Sequence, residues 1–199
     1  MDIRMMKPCH LVTTLMIVVL FGCAPAPTVT PTPEPLPTST PTLDPNSWEL
    51  VWSDEFDLPN GSAPDPAKWN HQKGGSGWGN GELQHYTDST TNAYIENGML
   101  VIKAIKEYMM GRDYTSARLN TQLKGEWTFG RVEIRAKLPT TQGIWPALWM
   151  LLSRGVYGSG TAGGEIDIME LIGSEPNRAY GTLHFGNPAE HSSGAYELP

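Results

Sequence analysis

Gly-Glu-Ile-Asp-Ile-Met-Glu-Leu-Ile-Gly, residues 164–173, sets three acids, Glu165, Asp167 and Glu170, among apolar neighbours. Side chains alternate along a regular strand, so Glu165 and Asp167 share one face. Glu170 stands at an odd interval from Glu165 and would point to the opposite, core side. An unpaired carboxylate there is costly. A β-bulge at Ile168-Met169 removes the conflict, because two residues then take the space of one. The expectation is a bulged strand with all three acids on one face and Ile166, the bulge residues and Leu171 on the core side.

Three like charges on one face raise the pKa of at least one of them, leaving one acid protonated near neutrality and a neighbour ionised. That division suits retaining glycoside hydrolysis, in which one carboxylate attacks and another protonates the leaving oxygen across roughly 5–5.5 Å. On a flat strand the two glutamate Cα atoms would lie about 13 Å apart, so the sheet has to curve toward the acids and form a cleft. Other chemistry fits the triplet alone: a solubilising sheet edge, or a calcium site completed by carbonyls.

The flanking segments extend the pattern. In Trp145-Pro146-Ala147-Leu148-Trp149-Met150, both indoles fall on one strand face, with Leu148, Met150 and Leu152 on the other. Indoles beside carboxylates hold the apolar faces of sugar rings, although tryptophans also pack ordinary cores. In Tyr180-Gly181-Thr182-Leu183-His184-Phe185, Tyr180, Thr182 and His184 share a face. His184 there serves a sugar, an acid, or a neighbour's hydrogen bond. Arg118 reads equally as a cleft donor or a structural ion pair.

Further strand candidates are Met99–Ile105 and Arg131–Leu138, the latter alternating Val132, Ile134, Ala136 and Leu138 against charged residues. No long segment has a helical period, and Gly, Pro, Asn and Asp punctuate short apolar runs. The expected architecture is an all-β sandwich.

The first quarter of the 199-residue chain reads differently. Residues 1–23 carry Arg4 and Lys7, an apolar run from Leu11 to Phe21, and then Gly22-Cys23. That run is short of the roughly 20 residues of a membrane span and reads as an export signal. Leu20-Phe21-Gly22-Cys23 resembles a lipoprotein signal, with Cys23 the lipidated residue. Residues 24–46 hold 8 Pro and 6 Thr, the composition of an extended linker. All seven Trp and all seven Tyr follow, so 47–199 is the expected folded domain. Both cysteines, Cys9 and Cys23, precede it, so no disulfide is expected there. From residue 47 on, 12 Lys+Arg face 18 Asp+Glu, which disfavours nucleic acid or an anionic surface as partner. The expected protein is an exported monomer, held at the cell envelope only through a lipid anchor at Cys23.

The ordered series of motifs resembles glycoside hydrolase family 16, in particular its laminarinase-like β-glucanases. The matching stretches are Trp52–Phe56, Gly77–Gln84 with Tyr86-Thr87, Asp113–Arg118, Gly130-Arg131, Trp145–Ala147, Gly164–Gly173 and Gly181–His184. The resemblance implies a jelly-roll (concanavalin A-like) β-sandwich with a concave glycan-binding cleft. It implies Glu165 as nucleophile, Glu170 as general acid/base and Asp167 as the group that tunes them. Asn80, Arg118, Trp145, Trp149 and His184 match positions lining the family's sugar subsites. The extra residue, Met169, matches the bulged branch that includes β-1,3-glucanases. No cofactor is implied for catalysis; a structural calcium on the convex side, through Glu55 and the Gly98 carbonyl, is implied in many relatives. The family domain runs well past 200 residues, so the sequence is expected to lack closing strands at its C-terminus.

The implied substrate is β-1,3-glucan, with mixed-linkage β-1,3-1,4-glucan second and agar or carrageenan after it. A non-catalytic glucan-binding module is the first rival, disfavoured by the presence of both Glu165 and Glu170. A metal-dependent protein using Glu165, Asp167, Glu170 and His184 as ligands is the second.

Overall fold

A computed structural model describes residues 2–8, 48–155, 158 and 162–198. Cys23 and the linker at 24–46 lie outside these. The described chain is built of strands with no α-helix among them. In chain order these are β1 (Asp2–Pro8), β2 (Trp48–Asp54), β3 (Asn70–Gln72), β4 (Gln84–Tyr86), β5 (Ala93–Ile95), β6 (Leu100–Ile102) and β7 (Tyr114–Ser116). Then come β8 (Arg118–Asn120), β9 (Arg131–Arg135), β10 (Ala147–Leu151), β11 (Glu165–Leu171), β12 (Arg178–Phe185) and β13 (Glu190–Glu197). Strands β10-β11-β12-β13 form an antiparallel sheet in sequence order, and β2-β1-β9 form a second. Two-stranded pairs β3-β8, β4-β7 and β5-β6 complete the described sheets.

The core gathers Phe56, Trp69, Ile95 and Leu100, with Ile3, Trp52 and Leu119 against it. Trp52 meets the edges of Trp69 and Trp127, and Phe56 stacks near Trp69. Indole nitrogens need partners when buried. The buried Asp54 accepts the Trp69 Nε1 proton at 2.7 Å and the Phe56 amide at 3.1 Å. Asn92, fully buried, accepts from the Thr87 hydroxyl and donates to the Lys103 carbonyl and Thr115 Oγ1. This polar knot ties β7 to the loop before β5, and so fixes the chain that runs on into Arg118.

Residues 2–8, the charged start of the expected export signal, form the middle strand between β2 and β9. Alternation explains the fit: Ile3 and Met5 face inward, with Met5 only 2% exposed, while Arg4 pairs outward with Glu55. The side of β11 that carries Ile166, Ile168, Met169 and Leu171 was expected to be core. Leu171 is buried, but Ile166, Ile168, Leu183 and Phe185 remain partly exposed, because nothing among the described residues covers that face.

Candidate active site

The bulge sits where the odd spacing of the acids required it. Against β12, Asp167 pairs with Thr182 and Glu170 with Tyr180, so Ile168 and Met169 together oppose Gly181. Against β10, Trp149 pairs with Asp167 and Leu148 with Met169, which leaves Ile168 as the extra residue. Paired residues on neighbouring strands point to the same side. Glu165, Asp167 and Glu170 therefore share a face with Trp149, Thr182 and His184.

Asp167 is the most enclosed of the three, at 6% exposure. Its Oδ2 lies 3.1 Å from His184 Nε2, and its register partner Thr182 receives the Ser193 hydroxyl at 3.1 Å. His191, opposite His184 on β13, brings a second imidazole to 6.1 Å. Trp145, just before β10, donates its Nε1 proton to Glu170 Oε1 at 3.0 Å.

Both glutamates are held above the ordinary carboxylate range. For Glu165 the causes are burial, then the negative charge of Asp167, then Glu170, opposed by His184 and Arg118. For Glu170 they are burial and then Asp167, opposed by the Trp145 hydrogen bond and His184. A low-dielectric surrounding and a neighbouring anion both disfavour ionisation. Glu165, Asp167 and His184 also bring ligand atoms within 4.8 Å of one another.

Arg118 lies on β8. Its Nε donates to Gln72 Oε1 at 2.6 Å, and its guanidinium carbon lies 4.7 Å from the Trp78 ring centre and 4.6 Å from that of Trp149. It is a sandwiched cation that joins the Gly77–Gln84 turn to the catalytic sheet. Asn80 stands on that turn, exposed, with its amide 3.5 Å from Glu82. The structure thus links Asn80, Arg118, Trp145, Trp149 and His184 to the acids through a chain of contacts. Trp78, Gln72 and Glu82 were not singled out from the sequence. Their signal was present only in the Gly-Trp-Gly-Asn-Gly-Glu turn, whose glycines at 79 and 81 adopt φ of 83° and 68°. That left-handed backbone suits glycine and folds the turn back on itself.

Glu55 and Gly98 lie apart from this site. Both Glu55 carboxylate oxygens are engaged by Arg4, at 2.9 and 3.2 Å.

The all-β scaffold that carries these three acids and their flanking indoles is of the jelly-roll β-sandwich class. Within that class the chain belongs to the glycosyl hydrolases family 16, whose model matches residues 80–198. It is 54% identical over 140 residues to a beta-glucanase of Rhodothermus marinus, covering 69% of this chain and 48% of that protein. It is 45% identical over 168 residues to glucan endo-1,3-beta-glucosidase A1 of Niallia circulans, covering 75% of this chain and 24% of that protein. Its fold is similar to the X-ray structure of the Rhodothermus marinus laminarinase, with a TM-score of 0.72 and 49% identity over 77% of this chain and 63% of that one. The chain thus spans about half the length, or less, of these two curated relatives.

Proposed function

We propose that the chain is an endo-acting retaining β-glucanase that cleaves β-1,3-glucan of the laminarin type, with mixed-linkage β-1,3-1,4-glucan as the second substrate. One observation carries the reading. The bulge at Ile168-Met169 turns Glu170 onto the face of Glu165, with Asp167 between them. The names of its relatives, a beta-glucanase and an endo-1,3-beta-glucosidase, support the same substrate class.

In the proposed mechanism Glu165 attacks the anomeric carbon while Glu170 protonates the departing glycosidic oxygen. Glu170 then removes a proton from water, which displaces Glu165 and releases a product of retained configuration. Asp167, fixed by His184, holds the proton balance between them. Trp145 orients the Glu170 carboxyl through its indole nitrogen. Trp149, braced by Arg118, offers an aromatic face for a sugar ring.

Glu165→Ala should abolish laminarin hydrolysis and regain turnover with azide, giving a glycosyl azide of inverted anomeric configuration. Glu170→Ala should lose most activity on poor leaving groups and less on activated aryl glycosides. Near-normal laminarin hydrolysis by either variant refutes the roles. We also propose that the protein is exported and anchored through Cys23; radiolabelled palmitate incorporation lost in Cys23→Ala tests it.

A further inference from the structure

Glu82 stands at the end of the glycine-rich turn, and its backbone is clamped from two directions. Its amide donates to the Gly77 carbonyl at 3.2 Å, and Arg112 Nη1 donates to its carbonyl at 3.3 Å. Arg112 Nε also holds the Gly75 carbonyl at 2.7 Å. The side chain, 13% exposed, points inward. Gln84 donates to Oε2 at 2.9 Å. The Tyr86 hydroxyl, pushed up to about 12 by burial and then by Glu82, bonds the same carboxylate. Oε1 faces Arg118 Nη1 at 3.9 Å, both groups being largely shielded from water.

A guanidinium pressed between two indoles loses hydration on both faces, which strengthens the field of a nearby anion. Gln72 is neutral, and among the described ion pairs Glu82 is the only carboxylate partner of Arg118. The next anion that Arg118 influences is Glu165. Without the Glu82 charge, the guanidinium has reason to swing toward the acids, and Trp149 loses the brace that fixes it beside Asp167.

We propose that Glu82 is a positioning residue of the glucan cleft, holding Arg118 between Trp78 and Trp149 so that the Trp149 platform is set before the sugar arrives. This deepens the β-glucanase reading and rests on it.

The test is Glu82→Gln in the full chain, which keeps the size and the acceptor for Tyr86 while removing the charge. On laminarin, KM should rise about tenfold with kcat within about twofold. Arg118→Ala should raise KM similarly, and the double variant should be no worse than Arg118→Ala alone, because both act through one device. Without any sugar, near-UV circular dichroism should change alike in Glu82→Gln and Arg118→Ala, and not when Glu82→Gln is added to Trp78→Phe/Trp149→Phe. A merely structural Glu82 would lower the melting temperature and leave KM unmoved. Wild-type KM and indole signal in Glu82→Gln, or KM effects that multiply in the double variant, would overturn the proposal. A wild type inert on laminarin refutes the glucanase reading instead, and the sugar-free indole comparison still decides the positioning.

Discussion

Deleting Met169 tests whether the bulge is what places the third acid. In the structure Ile168 and Met169 together oppose Gly181, so removing one leaves a regular strand in which Glu170 still pairs with Tyr180 and Ala147. The register of Glu165 and Asp167 with His184 and Thr182 is untouched. The loss is the contact of one partly buried methionine, about 1–2 kcal/mol. A regularised ladder offsets it by about 1 kcal/mol per hydrogen bond formed. The deletant should therefore unfold cooperatively in urea within about 2 kcal/mol of the wild type. The rival picture, a regular strand with Met169 as an ordinary member, predicts a flip of everything after it. Leu171, now fully buried, would turn out, and the carboxylate of Glu170 would take its place. Exposing the leucine costs about 1.5–3 kcal/mol and burying the carboxylate several more, a large part of a domain's net stability of about 5–15 kcal/mol. Activity should fall about 10- to 100-fold yet remain measurable by reducing-sugar release, since small misplacements of a catalytic group have that effect. Loss of the cooperative transition, or fully unimpaired turnover, would refute the reasoning.

Two further perturbations follow from the same geometry. Trp145→Phe removes the N–H that favours ionised Glu170, so the alkaline limb of kcat/KM, where the general acid loses its proton, should move to higher pH; an unmoved or lowered limb contradicts the role. Glu165 and Glu170 have raised folded-state pKa values, so stability present below the ordinary carboxylate range is lost as pH rises through the folded values. Glu165→Gln and Glu170→Gln should thus melt higher than wild type at pH 7, with the gap closing toward pH 4; a gap that widens in acid would reverse the sign.

Much of the site was legible because strands have a strict period of two. That period made the spacing of Glu165, Asp167 and Glu170 an inconsistency that only a bulge resolves, and it put Trp145 and Trp149 on the acid side. It also aligned Tyr180, Thr182 and His184, and the β11–β12 register then set Thr182 and His184 directly opposite Asp167 and Glu165. Periodicity was silent where the chain turns. Glu82, Gln72 and Trp78 come from a turn and a short strand, and the distance in sequence from Gln72 to Arg118 carries no pattern.

The sequence by itself determined the all-β class, the bulge and the identity of the acids, since alternation and the cost of a misplaced carboxylate are local properties of one strand. Only the tertiary structure decided what each charge faces. It sandwiched Arg118 between indoles from two different segments, gave Glu55 to Arg4, and set residues 2–8 as a strand between β2 and β9. It also left Ile166 and Ile168 partly exposed where alternation had placed them in the core. Those outcomes depend on which strands become neighbours, and backbone pairing energies are nearly the same for any two compatible strands. The choice among partners is made by the packing of the whole chain rather than by any one stretch of it.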